Sequence, residues 1–203
     1  MRQIPLPLAA GSAPTRIVVG NANADILDAF AHAPEWPFRT AVLFGPPRSG
    51  KSLLAHWFAA SGRGEAIDNA EAMDEDELFH RWNRAQESGT PLLIVVNASE
   101  DGWGIRLPDL ASRVGGSFHL SIGEPDDAML ADLIAVHAEQ RGFTLGEDAA
   151  AYLVPRAERS HLGAERLVAA IDRLSLERKQ APTLAVWRDA LEDVHGGSQP
   201  RLL

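Results

Sequence analysis

Gly45-Pro46-Pro47-Arg48-Ser49-Gly50-Lys51-Ser52 is the stretch whose residue types and spacing point most directly to chemistry. It fits G-x-x-x-x-G-K-[ST] in full. The chemistry is phosphate binding. Gly45 and Gly50 let backbone N–H groups curl round phosphate oxygens, and Pro46, Arg48, Ser49 and Leu53 complete the cradle. Lys51 reaches the β/γ oxygens as a point charge. Ser52 offers a hydroxyl to magnesium at a helix N-terminus, whose dipole favours the anion. Asp68, in Ile67-Asp68-Asn69, could hold the same magnesium through water. Asn97 follows Leu92 to Val96 at the carboxyl end of a buried strand, the end that faces ligands in open α/β sheets. Its amide could orient an attacking water, or could close an ordinary turn. Asn69 stands where a carboxylate usually activates water, and an amide cannot accept a proton. Glu71 lies two residues on, with no direction fixed by the sequence. Intrinsic hydrolysis is therefore expected to be weak or absent.

The elements that must hold these residues follow from the apolar pattern. Short runs at Ile17 to Val19, Ala41 to Phe44, Leu92 to Val96 and Phe118 to Ile122 alternate with longer helical stretches, which argues for a parallel α/β sheet. After Gly123 only helices are expected, near 125–141, 147–157, 161–179 and 183–194. Pro125 would sit in a first turn, with Asp126 and Asp127 at the positive helix end. On the third helix Leu167, Ala170, Ile171 and Leu174 share one face. Residues 1–14 are Pro- and Ala-rich without a helical period and are expected to form an extended, mobile arm. The expected division is an arm over 1–14, an α/β core over 15–123, a helical subdomain over 124–196 and a frayed tail over 197–203.

Composition narrows the classes. The 203 residues are 45% hydrophobic and 23% charged, which suits one core with a small appended subdomain. There is no cysteine, so disulfide scaffolds, Cys-ligated metals and thiol catalysis are excluded. A net charge of −9 argues against direct nucleic-acid binding. Leu92 to Val96 is the longest clean apolar run, far short of the roughly 18 residues of a membrane helix. Pro5 and Pro7 break the apolar N-terminus, so no secretory signal, no membrane partner and a cytoplasmic location are expected. The seven histidines show no H-E-x-x-H spacing; His56, His80 and His137 read as surface or half-buried residues. Asp74-Glu75-Asp76-Glu77 reads as a solvated helix N-terminus. The tryptophans read as packing residues, with Trp103, between Gly102 and Gly104, either an exposed contact or a buried anchor.

Four segments resemble the bacterial replication initiator family of AAA+ ATPases, and within it the short homologues that inactivate the initiator. Gln3-Ile4-Pro5-Leu6-Pro7-Leu8 is similar to that group's sliding-clamp-binding motif. Val18-Val19-Gly20-Asn21-Ala22-Asn23 is similar to the VGxxN segment beside the nucleotide base, which places Asn21 there. Asp68-Asn69 is similar to a Walker B variant with Asn. Leu107-Pro108-Asp109-Leu110-Ala111-Ser112-Arg113 is similar to the segment ending in the arginine finger. The resemblance implies a P-loop AAA+ core followed by an all-helical lid. The short stretch between Ser52 and Asp68 leaves out a strand and helix that the family usually carries, so the parallel sheet is expected to have about four strands. Near the family's sensor-2 arginine this chain has Glu165, with Arg159 and Arg166 as substitutes, Arg166 being the assigned nucleotide contact.

The same resemblance implies ADP or ATP with Mg2+ as ligands. It also implies two partners: the sliding clamp, through Gln3, Ile4, Leu6 and Leu8, and the initiator in its ATP form. Arg113 would act in trans as a finger on the initiator's γ-phosphate, at a position that would otherwise read as a dipole-favoured helix end. A homodimer stays open. The function implied is negative regulation of replication initiation, by stimulating hydrolysis of initiator-bound ATP. Two alternatives remain: a clamp-bound adaptor with a degenerate nucleotide site, and a small P-loop kinase.

Overall fold

The computed structural model describes residues 2–5, 16–97 and 103–196. The chain divides into two compact units, Met1–Gly123 and Glu124–Leu203.

In the first unit, β3 (Thr40–Phe44) and β5 (Leu92–Val95) are the central strands of a four-stranded parallel sheet. Every residue of both strands is buried, as expected where helices cover both faces. The short β4 (Glu65–Ile67) and β6 (Phe118–Ser121) form the edges, in the order β4-β5-β3-β6. The count of four matches expectation, but its membership does not. The Ile17 run forms β2 (Arg16–Val19), which pairs antiparallel with β1 (Arg2–Pro5) outside the parallel sheet. β4 takes the fourth place. Its Glu65-Ala66-Ile67 buries only the last side chain, which is too little alternation to mark a strand. The pairing also corrects the expected mobile arm over residues 2–5. The remaining residues of that arm, and the tail 197–203, lie outside the described residues.

Helices α1 (Ala24–Ala31), α2 (Lys51–Ala60), α3 (Glu75–Ser88) and α4 (Pro108–Gly115) connect the strands. Leu78, Trp82 and Ala85 of α3 and Leu110 and Val114 of α4 pack with Val42, Phe44, Ile67, Leu92, Ile94 and Val96 into one core layer. Trp103 packs against that layer with Ile105 and Leu107, so it is an anchor. An aromatic group, Phe30, Trp36, Trp57 and Phe58, forms a second cluster, with Phe30 and Phe58 centroids 5.0 Å apart.

The second unit is helical: α5 (Asp127–Gln140), α6 (Glu147–Leu153), α7 (His161–Arg178) and α8 (Leu184–Gly196). Asp126 caps α5 by accepting from the Met129 N–H at 2.8 Å, so Pro125 precedes the cap and does not lie in the first turn. The helix expected over 147–157 ends at Leu153 and continues as a 3-10 turn over Val154–Arg156. Pro155 has no N–H to extend an α-helical ladder. Leu167, Ala170 and Ile171 of α7 are buried and Leu174 is half-buried, as their spacing predicts.

Candidate functional site

Strand register brings the site residues to one edge of the sheet. Leu43 lies opposite Val95, Phe44 opposite Ser121 and Ile67 opposite Ile94. Gly45, Asp68, Asn97 and Ile122 therefore leave the sheet at its carboxyl end, where the crossovers leaving the neighbouring strands β3 and β5 run in opposite directions. The Ile122 N–H donates to Phe44 O at 3.0 Å, and the Val96 N–H to Leu43 O at 3.1 Å.

The loop 45–52 has the expected form. Gly50 is left-handed at φ 88° and caps α2, and Arg48 is also left-handed at φ 64°. A Cβ at Gly45 would come within 2.9 Å of Ile122 Cβ and 3.1 Å of Ser49 Oγ, so only glycine fits. The Lys51 ammonium donates to Gly45 O at 2.8 Å and Pro46 O at 2.9 Å. Burial pushes Lys51 below its ordinary range, and the charges of Asp68 and Glu71 oppose that shift. Ser49 is buried, and its Oγ has no hydrogen-bond partner among the described residues. Pro46, Arg48 and Ser52 are exposed and Leu53 is half-buried. A concave loop with a buried cation, an uncommitted hydroxyl and a helix N-terminus suits a phosphate.

Asn97 and Asn69 meet directly: the Asn97 Nδ2 amide donates to Asn69 Oδ1 at 3.0 Å. Asn69 is left-handed at φ 56°, a conformation Asn tolerates better than most residues. Its N–H donates to the Asp68 carboxylate at 2.9 Å, and Asp68 is exposed at the end of β4. Glu71 has a buried carboxylate oxygen, Oε2, without a hydrogen-bond partner among the described residues.

Asn21 is exposed on the turn after β2. The residue that fixes this turn is Asn23, the last residue of the VGxxN-like segment, to which the sequence reading gave no role of its own. It is buried, donates to Val18 O at 2.8 Å and accepts from the Gly20 N–H at 3.0 Å. The Gly123 N–H then donates to Ala22 O at 3.1 Å, fastening the turn near the end of β6.

Arg113 departs from expectation. It does not extend freely from the unit's edge. Its guanidinium lies 4.3 Å from the Phe79 ring centroid and 4.5 Å from that of Trp82, and Nη1 donates to Asn83 Oδ1. The Arg113 backbone carbonyl also accepts from Ser117 Oγ at 2.8 Å. Stacking on ring faces leaves the other edge N–H groups in plane. Glu75 is also more than a solvated charge. Its carboxylate accepts from the Arg106 N–H at 3.0 Å and the Leu107 N–H at 2.7 Å, fixing the entry to α4. Glu75, Phe79, Trp82 and Asn83 recur at helical spacing, so one stripe of α3 holds α4 at both ends. Asp74 caps α3 as expected, accepting from the Asp76 and Glu77 N–H groups.

In the helical unit, Arg166 is exposed on α7 and Glu165 is half-buried. Arg159 is paired with Asp127 at 2.7 Å. Gln3 and Ile4 lie in β1, opposite Val18 and Ile17, while Leu6 and Leu8 lie outside the described residues. Among the described residues no group of three or more His, Asp or Glu could hold a metal, and no helix is long and apolar enough to cross a membrane.

Among solved structures, the chain is similar to domain III of the Thermotoga maritima replication initiation protein DnaA. The two are 14% identical with a TM-score of 0.70, over 88% of this chain and 94% of that one. The fold is AAA+. AMPPCP-bound DnaA from Aquifex aeolicus matches at 15% identity and TM-score 0.59, over 80% of this chain and 66% of that one. The Thermotoga maritima RuvB Holliday junction branch migration motor matches at 16% identity and TM-score 0.60, over 86% and 70%. No protein-family model matches the chain. The chain spans about two thirds of the longer DnaA structures. A four-stranded parallel sheet carrying a phosphate loop, with a helical unit after it in the chain, is thus an AAA+ fold.

Proposed function

We propose that this chain is a nucleotide-binding regulator of replication initiation, an Hda-like protein in a short, alphaproteobacterial-like form. It holds ADP or ATP with magnesium, docks on the sliding clamp through its N-terminal segment, and stimulates hydrolysis of initiator-bound ATP through Arg113. One observation carries the reading: an intact phosphate loop stands beside an amide pair, Asn69–Asn97, where hydrolysis in cis calls for a carboxylate. The chain is built to bind a nucleotide more than to consume it. Backbone N–H groups of the loop, Lys51 and Ser49 would hold the phosphates. Ser52, with Asp68 through water, would hold magnesium, which needs few protein ligands once phosphates supply oxygens.

The likeness in fold to DnaA domain III supports an initiator as partner. In trans, Arg113 would exchange the neutral Asn83 oxygen for a charged phosphate oxygen, the stronger acceptor, while Phe79 and Trp82 keep the guanidinium plane in place. A finger of this kind is worth about 10³–10⁵ in rate. At −9 net charge the chain would reach DNA through the clamp. A second reading, a clamp-bound adaptor without finger chemistry, draws on the intramolecular partner of Arg113. The clamp step is tested by following initiator-bound ATP with clamp loaded on DNA, using wild-type chain and a Gln3→Ala, Leu6→Ala double variant. Stimulation should fall to the clamp-free level in the variant. Equal stimulation would remove the clamp from the account.

A further inference from the structure

We propose that the Arg48 side chain is a second cationic ligand of the nucleotide's phosphates and acts with Lys51 to slow nucleotide release, an inference that rests on the nucleotide-binding reading above. Arg48 lies within the phosphate loop, at φ 64° in the left-handed region. The loop motif leaves this position open, whereas it fixes Gly45 and Gly50. Glycine would take the left-handed turn at no steric cost, and a long side chain is disfavoured there. The backbone therefore argues for glycine at this position, and the chain carries an arginine. Strain of this kind clusters at ligand clamps.

The loop around it is built for an anion. Ser49 is 4% exposed, and its Oγ has no hydrogen-bond partner among the described residues. That oxygen lies 3.1 Å from where a Cβ at Gly45 would stand, inside the curl of the loop. Backbone donors are fewer here than the length of the loop suggests. Pro46 and Pro47 have no N–H, so neither can donate to a phosphate. Side-chain donors make up the difference. A guanidinium carries five N–H groups in a planar fork that meets phosphate oxygens in pairs.

Charge points the same way. Lys51 is buried, and its ammonium already donates to Gly45 O and Pro46 O. The charges of Asp68 and Glu71 both bear on it. One ammonium set against two carboxylates leaves the fixed charge of the cradle negative, in a chain of net charge −9. A nucleoside di- or triphosphate brings further negative charge, of which magnesium would offset a part. Arg48 is exposed on the same loop, and a guanidinium stays protonated in proteins. Lys51 thus serves the phosphates from the buried side of the loop, and Arg48 from the side open to solvent, through which a bound nucleotide leaves.

The test uses the full chain with Arg48→Gly and Arg48→Asn, both of which suit the left-handed backbone, and Arg48→Lys, which keeps the charge and loses the fork. Fluorescently labelled ADP and ATP, each with magnesium, give Kd by titration and release rates by displacement with unlabelled nucleotide. Ligand-free melting curves report the fold. Arg48→Gly and Arg48→Asn should raise Kd for both nucleotides about 10-fold or more, the lower end for a lost hydrogen bond between charged groups, mainly through faster release. Their Kd should also depend less on salt, and their ligand-free melting temperature should match or exceed that of wild type. Arg48→Lys should recover part of the affinity. Unchanged Kd and release rates in the Gly and Asn variants would reject Arg48 as a ligand and leave the nucleotide site standing. Weaker binding in step with a lower ligand-free melting temperature would make Arg48 a fastener of the loop and overturn the proposal. No binding of either nucleotide by the wild-type chain would remove the nucleotide-binding reading, and the role of Arg48 with it.

Discussion

Asn69 decides the chemical character of the nucleotide site. Its left-handed backbone and its bond from the Asn97 amide hold an oxygen, and no base, beside the phosphate loop. Asp is the substitution that fits, because it tolerates φ > 0 and keeps an acceptor for Asn97. Asn69→Asp is expected to raise intrinsic ATP hydrolysis about 10²-fold, the lower range for a placed general base. Phosphate release at saturating ATP measures it, and an unchanged rate would show that something other than the amide limits hydrolysis. At this scale the phosphate loop was fully legible, because curling backbone around phosphate needs particular residue types at particular positions. Arg113 was legible as a residue, but its bed was not. Trp82 read as a packing residue and Phe79 carried no signal, and only folding α3 against α4 shows that both rings lie against a cation. Asn23 was hidden for a similar reason: a buried turn amide and an exposed one look the same in sequence.

Helix α3 is the element that organises the Arg113 side of the unit. Glu75 at its start holds the entry to α4, and Asn83 further along takes the guanidinium at the exit. The N–H groups of Arg106 and Leu107, with the Arg106 guanidinium adding to them, hold the Glu75 carboxyl below the usual carboxylate range. A lowered folded-state value means that the stabilisation is present at neutral pH and is lost as pH falls through that value. Glu75→Gln should therefore melt below wild type at pH 7, and the gap should close on acidification towards pH 3. Thermal melts across that range measure it; a gap that stays constant with pH would show that the carboxylate is not what holds the α4 entry. Elements with many apolar residues were legible, and the four late helices fall close to their expected spans. Short β4 was not, since three residues with one buried side chain carry no period. The Ile17 run was legible as a strand, but its partner was not, because pairing with β1 is set by a neighbour and not by its own pattern.

The whole molecule is an AAA+ unit that carries a phosphate loop and Arg113 on its last helix, followed by a helical unit. On the function proposed above, it acts on a nucleotide that belongs to another subunit. The most direct measurement is single-turnover hydrolysis of radiolabelled ATP bound to the initiator, with clamp loaded on DNA, and with wild-type chain or Arg113→Ala. The expected result is acceleration by wild type of about 10³-fold or more, lost in Arg113→Ala while binding to clamp and initiator persists. Equal acceleration by both proteins, or none by either with binding intact, would contradict the account.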